Sequence, residues 1–189
     1  MQRFLPVLIA LVLLFLTAGC NLNQEADFQK GNEAFKKKDY ETALREWRPL
    51  AEQGHAEAQY WLGVMYGRGQ AVPQNHKIAL KWWKLAAEEG HAWAMIHLGA
   101  SYRFGKGVPK NLVYAYMWYD IAASQGHEIA LGNREDVVKE MTRSIANRWS
   151  TNQAPGNRHG IAKEMTPSQI GKAQELAAEC VKKKYKGCD

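Results

Sequence analysis

The sequence predicts an all-α fold, a short α-solenoid of helix-turn-helix units closed by a C-terminal helical cap. A Gly-His pair recurs at Gly54, Gly90 and Gly126, at intervals of 36 residues. Apolar residues inside the intervals follow the spacing of amphipathic helices, and a Val-Pro pair interrupts two of them midway. A period of this length with helical spacing inside it indicates stacked helix pairs.

Each unit is predicted to contain two helices joined by a turn. In the central unit, helix A runs from about Ala56 to Gly67 and helix B from about His76 to Glu89. Gly63 and Gly99 occupy equivalent positions inside the A helices, where glycine costs about 1 kcal/mol relative to alanine. We therefore expect a neighbouring helix to approach closely at these two positions.

Residues 56–90 and 92–126 share one motif almost completely. It reads A-x-A-x-x-x-L-G-x-x-Y-x-x-G, then G-V, then A-x-x-W-[WY]-x-x-A-A-x-x-G. This motif resembles the Sel-one-like repeat (SLR) family, a relative of the tetratricopeptide repeats. The resemblance implies a right-handed solenoid that binds another molecule.

In similar solenoids, the positions of helix A that the motif leaves free line a concave groove. The candidate binding residues at these positions are Tyr60, Trp61, Trp93 and His97. Exposed tryptophan and tyrosine are among the side chains that most often anchor interfaces. In the alternative interpretation, Trp61 and Trp93 pack between repeats.

The helical domain is predicted to span 26–189. Its repeats are expected at about 26–53, 54–89 and 90–125, followed by the cap at 126–189. The first repeat has a shorter connection, in which Lys36 to Tyr40 replaces the Val-Pro segment.

The cap contains a duplicated tetrapeptide. Lys139 to Thr142 reappears as Lys163 to Thr166, which indicates an inserted loop at about 143–166, with Ser150 to Gly160 as its flexible part. The segment is either a tolerated insertion or a functional arm. The last helix is expected to begin with Thr166 as its cap and Pro167 as its first residue.

Residues 1–19 have the pattern of an export signal. The apolar stretch from Phe4 to Leu16 would rise about 20 Å as a helix, less than the roughly 30 Å of a hydrocarbon core. Ala18 and Gly19 before Cys20 resemble the lipobox of bacterial lipoproteins. That resemblance implies cleavage after residue 19 and lipidation of Cys20, with 20–25 as a tether.

The same resemblance implies a location. The chain is expected at the periplasmic face of a bacterial membrane, and Asn21 in place of an aspartate favours the outer membrane. The alternative is an ordinary secretory signal in which the cysteine is incidental.

Cys180 and Cys188 remain once Cys20 carries lipid. In an exported, oxidising compartment we expect them to form a disulfide that holds the end of the last helix. Two free thiols or a metal site are the alternatives, and no histidine or third cysteine lies nearby in the sequence to favour a metal.

The chain is moderately basic, with a formal net charge of +6, or +5 once Arg3 is removed with residues 1–19. Four lysines lie near its end, at Lys182, Lys183, Lys184 and Lys186. Such a run is most often solvated, although it would also suit anionic lipid or an acidic polymer. Nucleic acid is not expected as a partner of an exported protein.

No motif for catalysis, metal binding or a cofactor is recognisable in the sequence. His55, His91 and His127 occupy equivalent repeat positions about 8–10 Å apart, too far for one metal ion, and are expected to form the turns into the A helices. The predicted function is an adaptor for a protein or peptide partner in the cell envelope, not an enzyme. The alternative is a protein that binds or processes peptidoglycan.

Overall fold

A computed structural model describes residues 24–151 and 158–188, with side chains described at 24–143 and 167–188. The predicted signal 1–19, Cys20 and residues 152–157 lie outside the described residues. The described residues form helices and turns and contain no strand. The helices are α1 (24–36), α2 (Tyr40–Glu52), α3 (Ala56–Arg68), α4 (His76–Glu88), α5 (Ala92–Phe104), α6 (Leu112–Ser124), α7 (Glu128–Thr151) and α8 (Arg158–Lys182).

Consecutive helices pack as pairs, so the prediction of an all-α, short helical solenoid is confirmed. The A helices are α1, α3, α5 and α7, and the B helices are α2, α4, α6 and α8. Residues 24 and 25, placed in the tether by the sequence interpretation, belong to α1 instead.

Each turn that joins an A helix to a B helix in the two full repeats begins with a glycine and ends with an asparagine. Gly69 and Gly105 adopt left-handed conformations, with φ of 70° and 69°, and end α3 and α5. Asn75 and Asn111 then accept backbone hydrogen bonds through their side chains and begin α4 and α6. These residues set the length of the turn in both full repeats.

Glycines inside the A helices allow close packing against an aromatic ring of the following B helix. A Cβ at Gly63 would overlap the indole of Trp83, and one at Gly99 would lie 2.8 Å from the ring of Tyr119. Gly31 has the same relation to Trp47 in the first unit. The expected close approach at Gly63 and Gly99 is confirmed.

The buried side chains form two hydrophobic clusters. The first joins α1, α2 and one face of α3 around Trp47. The second extends from α4 through α8 around Trp118 and Tyr119, and Tyr60 and Tyr66 pack on it from α3. Helix α3 therefore contributes side chains to both clusters.

Helices α7 and α8 cover the last repeat. Ala130, Val137 and Met141 of α7, with Ala173 and Ala177 of α8, are buried in the second cluster. The predicted C-terminal helical cap thus closes the apolar face of α6.

The predicted loop at about 143–166 is wrong where the structure describes it, because 143–151 and 158–166 are helical. The last helix begins at Arg158, so Pro167 lies inside α8 and does not start it. Proline removes one helical hydrogen bond, but Ala162, Lys163 and Glu164 are strong helix formers that continue the helix on its N-terminal side.

A disulfide closes the C-terminal turn. It joins Cys180 and Cys188, whose Cα atoms are 5.2 Å apart. Between them, the hydroxyl of Tyr185 accepts a 3.2 Å hydrogen bond from Gln125 after α6. The turn is thereby held against the body of the solenoid.

Across 24–151 and 158–188, no helix combines the length and apolar character needed to cross a membrane.

Candidate functional site

The A helices lie side by side and form one face of the solenoid. Phe35 of α1 contacts Trp61 of α3 with ring centroids 4.9 Å apart, and Tyr60 of α3 lies 5.7 Å from His97 of α5. Arg103 of α5 bonds Glu140 of α7 at 3.0 Å. We call the outward surface of these four helices the A-helix face.

Histidines begin two of the A helices. Nδ1 of His55 accepts a hydrogen bond from the amide of Ala58, and Nδ1 of His91 accepts one from Ala94, both at 3.2 Å. The prediction that these histidines form the turns is confirmed at 55 and 91. Because Nδ1 is an acceptor, Nε2 carries the proton of a neutral ring at both positions.

Glu57 of α3 joins two neighbouring repeats through its contact with His91, which begins α5. Nε2 of His91 lies 2.8 Å from a carboxylate oxygen of Glu57, and the indole of Trp61 donates to the other oxygen at 3.2 Å. The hydrogen bond from His91 is the main reason that the pKa of Glu57 lies below its usual value. A charged Glu57 therefore receives both donors at the N-terminal end of the A-helix face.

Tyr60 and His97 meet in a cluster of rings. Tyr60 stacks on His91 with centroids 4.7 Å apart, and His97 stacks on Trp83 at 4.6 Å. Burial, with a smaller contribution from the positive charge of Arg68, lowers the pKa of His97 to about 4. The imidazole is therefore neutral at pH 7.

Acidification is expected to destabilise the fold through His97. The unfolded chain takes up a proton near the ordinary pKa of 6.5, whereas the folded chain does so only near pH 4, so stability is lost as pH falls through this interval. Allowing for the partial exposure of the ring, we expect a loss of about 1 kcal/mol between pH 7 and 5. Chemical denaturation at both pH values measures it.

The matched control is His97→Gln, which keeps a polar side chain but cannot titrate. Its stability is expected to change less between pH 7 and 5 than that of the native chain. An equal change in both proteins would show that another group is responsible.

Trp61 packs between the first two units. Its ring lies 5.5 Å from that of Trp47 and 4.9 Å from that of Phe35. It is half-buried at the edge of the first hydrophobic cluster. The structure thus places Trp61 in packing contacts with α1 and α2.

Trp93 lies apart from the other candidate residues and is 41% exposed. Its ring contacts His127 at 5.7 Å, edge to face. Ile129 occupies the corresponding position of the next A helix and is 56% exposed. Trp93 and Ile129 form an apolar patch at the N-terminal end of α5 and α7, and the repeat register is the signal that would have identified Ile129.

The opposite end of the A-helix face is closed by charged side chains. Arg103 and Lys110 both bond the carboxylate of Glu140, at 3.0 and 2.5 Å. Burial alone would raise the pKa of Glu140, but these bonds outweigh it and keep the pKa below its usual value. Burial also raises the pKa of Tyr119, which is bonded to Arg103, to about 12. Sequence reasoning missed this network because its partners come from different helices.

The Sel1 repeat family matches residues 56–91 and 94–127. No curated protein sequence matches the chain.

Two solved structures share the fold. A Sel1 repeat protein from Oxalobacter formigenes is 32% identical, with a TM-score of 0.56, and the match covers 66% of this chain and 97% of that one. A protective antigen of uropathogenic Escherichia coli that displays an SLR fold is 25% identical, with a TM-score of 0.59. That match covers 84% of this chain, which spans about a third of the antigen, or 32%.

Proposed function

The chain belongs to the Sel1 repeat family, and from this premise we propose that it is a membrane-tethered module whose A-helix face binds a protein or peptide partner in the periplasm. Sel1 repeat proteins generally mediate protein-protein interactions. The partner, the lipid anchor on Cys20 and the outer-membrane location are parts of the proposal.

The exposed patch of Trp93 and Ile129 is the observation that carries the proposal. Tryptophan is strongly enriched among the residues that dominate binding energy, and here it stands at the surface of a rigid repeat. Tyr60 and His97 lie elsewhere on the same face and are held in place by stacking on His91 and Trp83. A solenoid offers such a face for recognition, and no catalytic function follows from it.

Site-specific photo-crosslinking in the intact envelope tests this proposal. A photoreactive amino acid at Ile129 is expected to capture a discrete partner, and Trp93→Ala is expected to reduce the yield at least about ten-fold. The control position is Leu85 on α4, a B helix, which is 43% exposed. Capture of the same proteins from Leu85 and Ile129 would contradict the assignment of the A-helix face.

The same preparation tests the anchor. The native chain is expected in the membrane fraction and a Cys20→Ala chain outside it. Equal recovery of both chains in the membrane fraction would remove the lipid anchor from the proposal without affecting the binding face.

A further inference from the structure

The turns of the solenoid lie on two opposite edges because successive helices alternate in direction. At the edge of the A-to-B turns, Gly107 lies directly against the backbone of His76, and Val72 packs in one cluster with Phe35 and Tyr40. Neighbouring turns are therefore in contact and form a continuous strip.

The other edge contains the B-to-A turns and both described ends of the chain. Gln24, at the start of α1, donates a 2.9 Å hydrogen bond to Gln53 in the turn before α3. Tyr185 of the C-terminal turn lies beside Gly90 in the turn between α4 and α5. Its hydroxyl also accepts a hydrogen bond from Gln125 in the turn between α6 and α7. The N-terminal tether would thus leave the solenoid at this edge.

Exposed lysines recur along the edge of the A-to-B turns. The A-to-B edge presents six exposed lysines, which we call the basic edge: Lys36, Lys37, Lys38, Lys77, Lys106 and Lys110. Lys110 is paired with Glu140, and no ion pair among the described residues involves the other five. The opposite edge is mixed in charge: its turns and adjoining helix ends present Glu52, Glu57, Glu88, Glu89 and Glu128, together with Lys182, Lys183, Lys184 and Lys186 of the C-terminal turn.

The helix dipoles account for part of this distribution, because Lys36 and Lys106 lie at the C-terminal ends of α1 and α5, where a positive charge is favourable. They do not account for α4. Lysine is unfavourable near a helix N-terminus, yet Lys77 is the second residue of α4, whose first turn has no acidic residue. Glutamate is unfavourable near a C-terminus, yet Glu88 and Glu89 end the same helix. Helix stability would favour the reverse arrangement in α4, so the position of Lys77 needs another explanation.

We propose that the basic edge binds an acidic segment of the partner protein, which deepens the proposed function and rests on it. Lysines of successive turns are one packing step apart, roughly 8–10 Å. A peptide in the polyproline II conformation rises about 3.1 Å per residue and has three residues per turn, so it would meet them with every third side chain. Phe104 is 60% exposed beside Lys106 and offers the segment an apolar contact.

A membrane surface fits this edge less well than a protein segment does. The chain enters α1 at the opposite edge, where Gln24 contacts Gln53. An anchor there would hold the edge of the B-to-A turns, with Lys182, Lys183, Lys184 and Lys186, nearest the lipid. The basic edge would then point away from the membrane.

Binding of a fluorescein-labelled oligoglutamate peptide to the full mature chain, followed by anisotropy, tests the proposal. Lys77→Glu combined with Lys106→Glu is expected to weaken binding about ten-fold, and raised salt should weaken binding to the native chain. The control, Lys182→Glu with Lys184→Glu, makes the same change of net charge at the other edge and should stay within about two-fold.

Three results would overturn the inference. They are no binding of the peptide to the native chain, equal weakening by both pairs of substitutions, and preferential binding of phosphatidylglycerol vesicles through Lys77 and Lys106. The two proposals can fail separately. Capture from Ile129 that persists in the Lys77 and Lys106 variant supports the A-helix face alone, whereas peptide binding without capture supports the basic edge alone.

Discussion

Replacing Trp47 by alanine is expected to lower the free energy of unfolding by about 3–5 kcal/mol. The side chain is fully buried and packs against the rings of Phe28, Phe35 and Trp61. Its indole nitrogen also donates a 3.2 Å hydrogen bond to the carbonyl of Phe28. Removing the ring leaves a cavity at the centre of the first hydrophobic cluster and removes this additional hydrogen bond to α1.

Denaturant unfolding followed by circular dichroism measures this loss. The matched control is Trp93→Ala, which removes the same ring from a position that is 41% exposed and is expected to cost less than about 1 kcal/mol. Similar losses in the two variants would contradict the assignment of Trp47 to the core and of Trp93 to the surface.

Gly63→Ala is expected to destabilise the fold by about 2–3 kcal/mol, although alanine is the better helix former. The added carbon would overlap the indole of Trp83, which is itself buried. The ring cannot move aside without disturbing its stack on His97. The loss from overpacking therefore exceeds the roughly 1 kcal/mol gained in helix propensity.

Gly132→Ala is the control for Gly63→Ala and is expected to raise, not lower, the free energy of unfolding measured by denaturant. Gly132 lies inside α7 with open space around the position of a Cβ, so alanine is expected to stabilise the fold by about 0.5–1 kcal/mol. If both substitutions stabilised the chain, the close contact between Gly63 and Trp83 would be refuted.

The repeat motif was sufficient to predict the helices of the two full repeats and the role of Gly63 and Gly99. Gly63, Gly99 and the histidines at 55 and 91 recur at fixed spacing, and each position has one local physical requirement, a close approach or a cap. Those requirements act within one unit or between adjacent units, so the sequence register alone identifies them.

The exposure of individual aromatic residues depends on contacts that the motif does not describe. Trp61 packs on Phe35 and Trp47, and its contact with Trp47 uses the same repeat positions as the stack of His97 on Trp83. Trp93 contacts His127 and is 41% exposed. The duplicated tetrapeptide indicated an insertion, but duplication carries no information on whether 143–166 is helix or loop.

The double role of α3 has a mechanical consequence for a chain held at its N-terminus. Tension applied there acts first on α1 and α2, whose apolar side chains belong to the first cluster only. Helix α3 is also secured from its other side by Tyr60 and Tyr66 and by the contact of Gly63 with Trp83. Under tension, α1 and α2 would unfold first, while α3 and the remaining units kept their structure. The first repeat would then lengthen under force without loss of the rest of the fold.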